Sequence, residues 1–278
     1  MRGADEGSWE LAAPGLLARL VDPDATVVIE PLGEVDDIGM MTAYATPRLR
    51  ASRVQVDPFL HPIHAAPEGG TRLTRRELLE GGHLEGLELA WLDDALEAYL
   101  VQVNGSAVLD WVDPATKAST GEATAIVWSH SNEHAYGSLG RMAIEAGLAD
   151  PDAMSLDLLR SLHAADPDGI GLLMMQNPRY IMFRALPEGE SINGSRGVPL
   201  VPGVSLAADP CHETGGILLV EPINGSPPRI GLVHDGGAAI VGPQRIDSYL
   251  GVGPEAMDAA GRVVVPVRVS RIRFKDVD

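Results

Sequence analysis

The sequence predicts a mainly β protein with short helices, and three of its features carry that prediction. From residue 178 onward, short apolar runs at 180–183, 205–208, 217–220, 230–233 and 263–269 alternate with turn signals such as Pro202-Gly203 and Asn224-Gly225. Strands of that length at that spacing build a small barrel or sandwich. Upstream, the helical signals are short and cut by glycine or Asp-Pro. Finally, a chain of 278 residues that is 45% hydrophobic and 22% charged has the apolar content to bury one large core or two modest ones.

In chain order, the spacing predicts a short helix over 11–21, a strand through Thr26-Val27-Val28-Ile29 and another over 38–44. Thr74 with Glu77 three residues on is a capping box that opens a helix, and Gly81-Gly82 closes it. Residues 93–99 form a short amphipathic stretch, and Tyr99-Leu100-Val101-Gln102-Val103 reads as a buried strand. Helices come next at 136–146 and 156–164, before the β-rich last zone. The chain contains no internal repeat or low-complexity tract.

Composition excludes several classes of function. A formal charge of −18 is the wrong sign for nucleic acid or anionic lipid, both of which need clustered Lys and Arg. A single cysteine, Cys211, excludes an internal disulfide framework and a cysteine-rich metal site. No run approaches the ~18–20 apolar residues of a spanning helix, and the first ten residues carry no hydrophobic signal region. Composition is thus compatible with a cytoplasmic protein, or with a targeting segment outside this sequence.

Chemistry concentrates near the C-terminus. Asp209, Asp235 and Asp247 all stand at the ends of β runs, the last two around the glycine-rich segment 236–242. Carboxyls beside buried strands acquire raised pKa values, as a general acid at neutral pH requires. Asp209, before Pro210, reads equally as the start of a turn. His61 and His64 lack a third metal ligand, and His130 and His134 lack the glutamate of a zinc-protease helix, so all four read as surface or core residues and no metal is expected. Gln102-Val103-Asn104-Gly105-Ser106 offers amide and hydroxyl groups suited to sugar hydroxyls, or simply a strand and hairpin turn. Gly251 and Gly253 are a weak phosphate signal without a lysine or the strand–turn–helix setting, so no nucleotide and no cofactor is expected. Ser205 and Ser248 lack a nucleophile elbow. Tyr44, Trp128, Tyr136, Tyr180 and Tyr249 fall in or near loop-like motifs, where aromatic faces either stack on sugars or pack.

Taken in order, these motifs resemble the membrane-bound lytic murein transglycosylase A family with its C-terminal three-aspartate (3D) domain. The matching elements begin with Thr42-Ala43-Tyr44-Ala45-Thr46-Pro47, His61-Pro62-Ile63-His64 and Arg75-Arg76-Glu77-Leu78. They continue with Gln102-Val103-Asn104-Gly105-Ser106, His134-Ala135-Tyr136-Gly137-Ser138 and Gln176-Asn177-Pro178-Arg179-Tyr180. Ala207-Ala208-Asp209-Pro210, Asp235-Gly236-Gly237-Ala238, Arg245-Ile246-Asp247 and the segment 251–256 complete the series, so that about residues 40 to 270 are covered. The resemblance implies a double-psi β-barrel domain from residues 1–55 and 178–278, an inserted β-rich domain at 56–177, and a groove between them.

The same resemblance implies non-hydrolytic cleavage of the β-1,4 bond between N-acetylmuramic acid and N-acetylglucosamine in peptidoglycan, leaving a 1,6-anhydromuramyl end. Asp247 would be the single general acid then base, and Asp235 its catalytic partner. Asp209, Tyr44, Gln102, Gly105, Ser106, Tyr136, Gly237 and Tyr249 would contact or shape the site for the glycan strand. The resemblance further implies a periplasmic or outer-membrane-associated protein, anchored through a segment not present in this sequence. Four elements depart from the family pattern. Asn104-Gly105-Ser106 stands for Gln-Gly-Ser, and Gly237-Ala238 stands where the family has its second glycine. Ala45 replaces the second of two tyrosines, and Val127-Trp128-Ser129-His130-Ser131-Asn132-Glu133 replaces a Tyr-Ala-Gly-Lys-Asn-Gly stretch. The alternative these departures suggest is a weak or inactive peptidoglycan-binding homologue.

Overall fold

A computed structural model describes residues 27–33, 37–237 and 240–274; the helix predicted over 11–21 lies outside them. The chain divides into two compact units, one formed by residues up to Ala45 together with those from Ser191 on, the other by Thr46–Glu190.

The first unit opens with β1 (Val27–Pro31) and β2 (Gly39–Thr46). The chain then builds the second unit from β3 (Arg48–Ser52), β4 (His61–His64), α1 (Arg75–Glu80), β5 (Glu88–Leu92), α2 (Ala95–Asn104), β6 (Ser106–Val112) and β7 (Ser119–Ser131). Three helices come next, α3 (Leu139–Glu145), α4 (Leu156–Ala165) and α5 (Pro167–Met174), and then β8 (Ile181–Ala185). Back in the first unit come β9 (Ser205–Ala208), β10 (Ile217–Pro222), β11 (Arg229–Asp235), β12 (Arg245–Val252), α6 (Pro254–Ala260) and β13 (Val264–Phe274).

The second unit is a six-stranded sheet in the order β4-β5-β3-β6-β7-β8, in which β3 and β6 run parallel. β3 and β8 therefore belong with the middle of the chain, whereas the sequence reading placed them in the terminal zones. Apolar alternation identifies a strand but not its partner, and here the partners are β5, β6 and β7.

Residues 99–103, predicted as a buried strand, are instead the second half of α2. Asp94 caps this helix by accepting the Glu97 amide, and Gly105, with φ of 77°, ends it in the left-handed region that glycine tolerates. Asn104-Gly105 is thus a helix terminus rather than a hairpin turn. The strand-like appearance has a physical cause. Ala98 and Val101 pack into the core of the sheet, whereas Leu96 and Tyr99 pack with Leu139, Leu159 and Ile170 of the helical layer. A helix buried on two sides loses its amphipathic period.

Two further helices have no counterpart in the sequence reading. In α5, Asp166 caps the Gly169 amide and Pro167 takes the first-turn position where its missing N–H costs nothing. In α6, Pro254 takes the same position after Gly253 (φ 96°), directly beyond the end of β12. The strand–turn–helix setting expected to be missing around Gly251 and Gly253 is therefore present, although Pro254 supplies no amide to an anion. The predicted capping box on α1 is formed in full, with Thr74 and Glu77 each accepting the other's backbone amide.

The first unit is a seven-stranded sheet in the order β1-β13-β10-β11-β9-β12-β2. A further pairing of β13 with β2 closes six of these strands into a ring. Met41, Leu206, Ala208, Leu218, Val220, Val233, Ile246, Val267 and Val269 fill one face of it as a single cluster. Because side chains alternate along a strand, Thr42, Ala207 and Asp247 take the opposite face. That face carries the acids.

Candidate functional site

Asp247 lies on β12 directly opposite Ala207 of β9. On the far side of β9, Asp235 of β11 also pairs with Ala207. Regular alternation would have put Asp235 on the same face as the buried Val233. A bulge between Val233 and Asp235 shifts the register by one residue and turns the carboxylate to the other face. Two strand spacings, about 10 Å, therefore separate the backbones of the two acids, with only the methyl group of Ala207 between them.

Two residues of β2 complete the cluster, and they share a face because they are two positions apart. Thr42 Oγ1 donates to Asp247 Oδ1 at 2.8 Å and accepts from Arg245 Nη2 at 3.0 Å. The Tyr44 hydroxyl donates to Asp235 Oδ2 at 2.7 Å, and its ring lies 5.2 Å from that of Tyr249. Tyr249 is only 2% exposed, so its ring is a wall rather than an open platform.

The electrostatics separate the acids. Burial pushes the Asp247 carboxyl above the ordinary aspartate range; Thr42 and Arg245 pull it back, and the neighbouring charge of Asp235 adds to the rise. Burial and the Asp235 carboxylate hold the Tyr44 phenol far above its usual value, so it stays a donor. Asp235 Oδ1 accepts the backbone amides of Ser195 (2.7 Å) and Gly236 (2.8 Å). With three donors aimed at it, the Asp235 carboxyl is held in a fixed orientation.

Asp209 plays a different part. Its oxygens accept the amides of Cys211 (2.8 Å) and Gly242 (2.7 Å), which lower its pKa to about 2. It tethers the segment between the two acids rather than offering a proton. Gly237 sits on that segment, with its carbonyl accepting the Ile240 amide at 2.9 Å.

Several residues that matter here were not singled out from sequence. Arg196 gathers the carbonyls of Ala208, Asp209, His212 and Asp235 around one guanidinium. Gly194 lets this loop approach, since a Cβ there would lie 2.3 Å from the His234 carbonyl oxygen and 2.9 Å from Asp235 Cβ. Thr42 and Arg245 were legible in principle, each lying two residues from a chosen residue, Tyr44 and Asp247, along a strand. Nothing in the sequence marks Gly194 or Arg196.

The remaining candidates belong to the second unit. The Gln102 amide oxygen accepts from Arg75 Nη2 (2.9 Å) and the Ile181 amide (3.3 Å), so it is committed internally. Gly105 is the α2 cap, and its carbonyl accepts the Trp128 amide at 2.7 Å. Ser106 begins β6 opposite Val127. Tyr136 is exposed beside Tyr99 and Arg75. Arg75 itself is buried, donates to the carbonyls of Asn177 and Arg179, and lies against the rings of Tyr99 and Tyr180. The buried Asn132 and Asn177 bond the flanking backbone. Arg75 thus ties the Gln102 and Asn177 motifs together by donating to an oxygen of each.

The metal candidates disperse. His64 is buried with Nδ1 2.8 Å from the Tyr180 hydroxyl, and burial lowers its pKa to about 4. Among the described residues no three His, Cys, Asp or Glu side chains converge as a metal site. The second unit also has a cavity of about 460 Å³ bordered by Glu68, Ser129, His130 and Arg184.

A family model described as the MltA specific insert domain matches residues 40–184, and one described as the 3D domain matches residues 204–273. The chain is similar to membrane-bound lytic murein transglycosylase A of Escherichia coli K12, at 28% identity over 233 residues that cover 79% of this chain and 61% of that protein. The protein of the same name from Vibrio cholerae is 27% identical over 235 residues, covering 80% of this chain and 62% of the relative. The chain thus spans about three fifths of the length of these relatives. Among solved structures, E. coli MltA with bound chitohexaose superposes with a TM-score of 0.79 at 26% identity, covering 90% of this chain and 76% of that one. The membrane-bound lytic murein transglycosylase of Agrobacterium tumefaciens gives 0.75 at 25% identity, with coverage of 98% and 81%.

Proposed function

Because the chain belongs to the MltA family, we propose that it is a peptidoglycan lytic transglycosylase with Asp247 as its acid and base. The observation that supports this most is the contrast between the two acids on one sheet face: Asp247 is half-buried with a raised pKa, whereas Asp235 is surrounded by donors. Two carboxyls held in such different surroundings divide their roles.

In this reading neutral Asp247 gives its proton to the oxygen between N-acetylmuramic acid and N-acetylglucosamine. The C1–O bond breaks and its electron pair leaves with the N-acetylglucosamine oxygen. Positive charge develops at C1, and the fixed negative charge of Asp235 stabilises it. Asp247, now a carboxylate, takes the proton from the C6 hydroxyl, and O6 closes on C1. The acid is regenerated, no water is consumed, and the product carries a 1,6-anhydro ring. One carboxyl serves both steps, unlike the two-carboxylate scheme of hydrolases. Chitohexaose bound to the E. coli relative supports a glycan as the ligand class. Murein lies outside the inner membrane, so we place the protein in the cell envelope; among the described residues no helix is long and apolar enough to cross a membrane.

The test is digestion of purified sacculi with mass spectrometry of the products. Wild type is expected to release anhydro-ended muropeptides, and Asp247→Asn to lose roughly 10²–10⁴-fold in rate, the usual weight of general acid–base catalysis. Products heavier by one water would identify a hydrolase instead. The second reading, a murein-binding homologue without activity, is favoured by Trp128 and His130 standing in the divergent 127–133 segment. It predicts sacculus binding by wild type with no anhydro product.

A further inference from the structure

We infer that Arg245 and Thr42 form a positioning relay that decides which oxygen of Asp247 carries the proton it transfers. The inference rests on Asp247 being the acid of the proposed reaction. A threonine hydroxyl has one proton and two lone pairs, whereas a guanidinium only donates. Arg245 Nη2 lies 3.0 Å from Thr42 Oγ1, so the hydroxyl accepts there. Its single proton is then directed to Asp247 Oδ1, at 2.8 Å. A second Arg245 nitrogen donates to the Met40 carbonyl at 3.4 Å, so the guanidinium meets β2 at two points.

An oxygen that already accepts the threonine proton is not the one that holds the acidic proton. Neutral Asp247 must therefore carry its hydrogen on Oδ2. The threonine bond falls on Oδ1, so Oδ2 is the oxygen that gives a proton to substrate and takes one back. Without Arg245 the hydroxyl is free to turn and accept from Oδ1–H. The acid would then present a bare carbonyl oxygen to the glycosidic bond. Holding one protonation isomer through a neighbour is the role that the buried aspartate plays for histidine in a catalytic triad.

The charged and titratable groups facing Asp247 come from three strands. Arg245 on β12 and the Thr42 hydroxyl on β2 favour the carboxylate, and Asp235 on β11 favours the acid. Tyr44, also on β2, donates its hydrogen bond to Asp235 instead. Thr42 and Arg245 do not touch substrate in this scheme. They act through Asp247.

The test combines kinetics with nuclear magnetic resonance on the intact chain carrying ¹³C-labelled aspartate carboxyls, with the Asp247 signal assigned by Asp247→Asn. Thr42→Val is expected to raise the Asp247 titration midpoint by about one pH unit and to lower kcat by roughly tenfold or more, and Thr42→Ser to restore both. Arg245→Met should lower kcat similarly and broaden the Thr42 hydroxyl proton resonance, which is sharp when the hydroxyl is held. Arg245 also pulls on the carboxyl directly, so the comparison is made at a pH below every Asp247 midpoint, where that pull does not change the protonation state; there Thr42→Val with Arg245→Met should lose no more kcat than Thr42→Val alone. Multiplicative losses, an unmoved midpoint in Thr42→Val, failure of Thr42→Ser to rescue, or an unchanged hydroxyl resonance in Arg245→Met would each overturn the relay. Absence of anhydro product from wild type would instead sink the transglycosylase reading, and the two resonance measurements, which need no substrate, would still decide the relay.

Discussion

At Asp247, burial and hydrogen bonding pull in opposite directions, and burial wins. The folded state therefore binds the Asp247 proton more tightly than the unfolded chain does. Stability from this group falls as pH rises from the unfolded value, about 3.9, through the raised folded value. Above that folded value the carboxylate is a net liability to the fold, so there Asp247→Asn should melt at an equal or higher temperature than wild type while losing activity. A lower melting temperature there would mean that Thr42 and Arg245 outweigh burial. Tyr44 makes the complementary prediction. Tyr44→Phe keeps the ring against Tyr249 but removes the 2.7 Å donor to Asp235. The lost charge-assisted bond is expected to lower kcat/KM by about tenfold, measured on sacculi at a pH below the Asp247 midpoint. An unchanged rate would remove Asp235 orientation from the mechanism.

Above single side chains, the site depends on one bulge and one loop. The bulge on β11 brings Asp235 to the face of Asp247, and the 194–196 loop fixes it there through the Ser195 amide and the Arg196 side chain. Gly194→Ala places a methyl group 2.3 Å from the His234 carbonyl oxygen, so the loop must retreat. Overpacking of this kind costs about 1–3 kcal/mol, and chemical denaturation should show it together with a fall in kcat; wild-type values for both would mean that the loop does not hold Asp235. The strands of this unit were largely legible, because runs such as 205–208 and 217–220 keep their apolar character between turn residues. The bulge was not, since a register shift is a relation between two strands and leaves no mark on either one alone. The same limit explains α2. Wedged between a sheet and a helical layer, its apolar residues lost the period that would have distinguished helix from strand. In α5, Asp166-Pro167 read as a break because the same dipeptide opens a helix or ends one, and its local sequence does not choose.

For the molecule as a whole, segments distant in sequence share a unit, and local spacing carries no information on that sharing. β2 near the N-terminus supplies Thr42 and Tyr44 to acids lying about 200 residues later; only the ordered series of motifs hinted at this. Charge, by contrast, was fully readable, and at −18 it makes its own prediction. Like charges repel within the folded chain more than in the expanded one, and salt screens that repulsion over a length of about 10 Å at 0.1 M. The melting temperature should therefore rise by a few degrees as sodium chloride goes from about 0.05 to 0.5 M. Peptidoglycan stem peptides also carry carboxylates, so the proposed substrate repels the protein at long range. Sacculus binding should accordingly tighten over the same range of salt, the reverse of the counterion-release slope of a nucleic-acid binder. Binding measured by co-sedimentation checks the sign. A loss of binding with added salt would mean that local cationic contacts, and not glycan hydroxyls and ring faces, hold the strand.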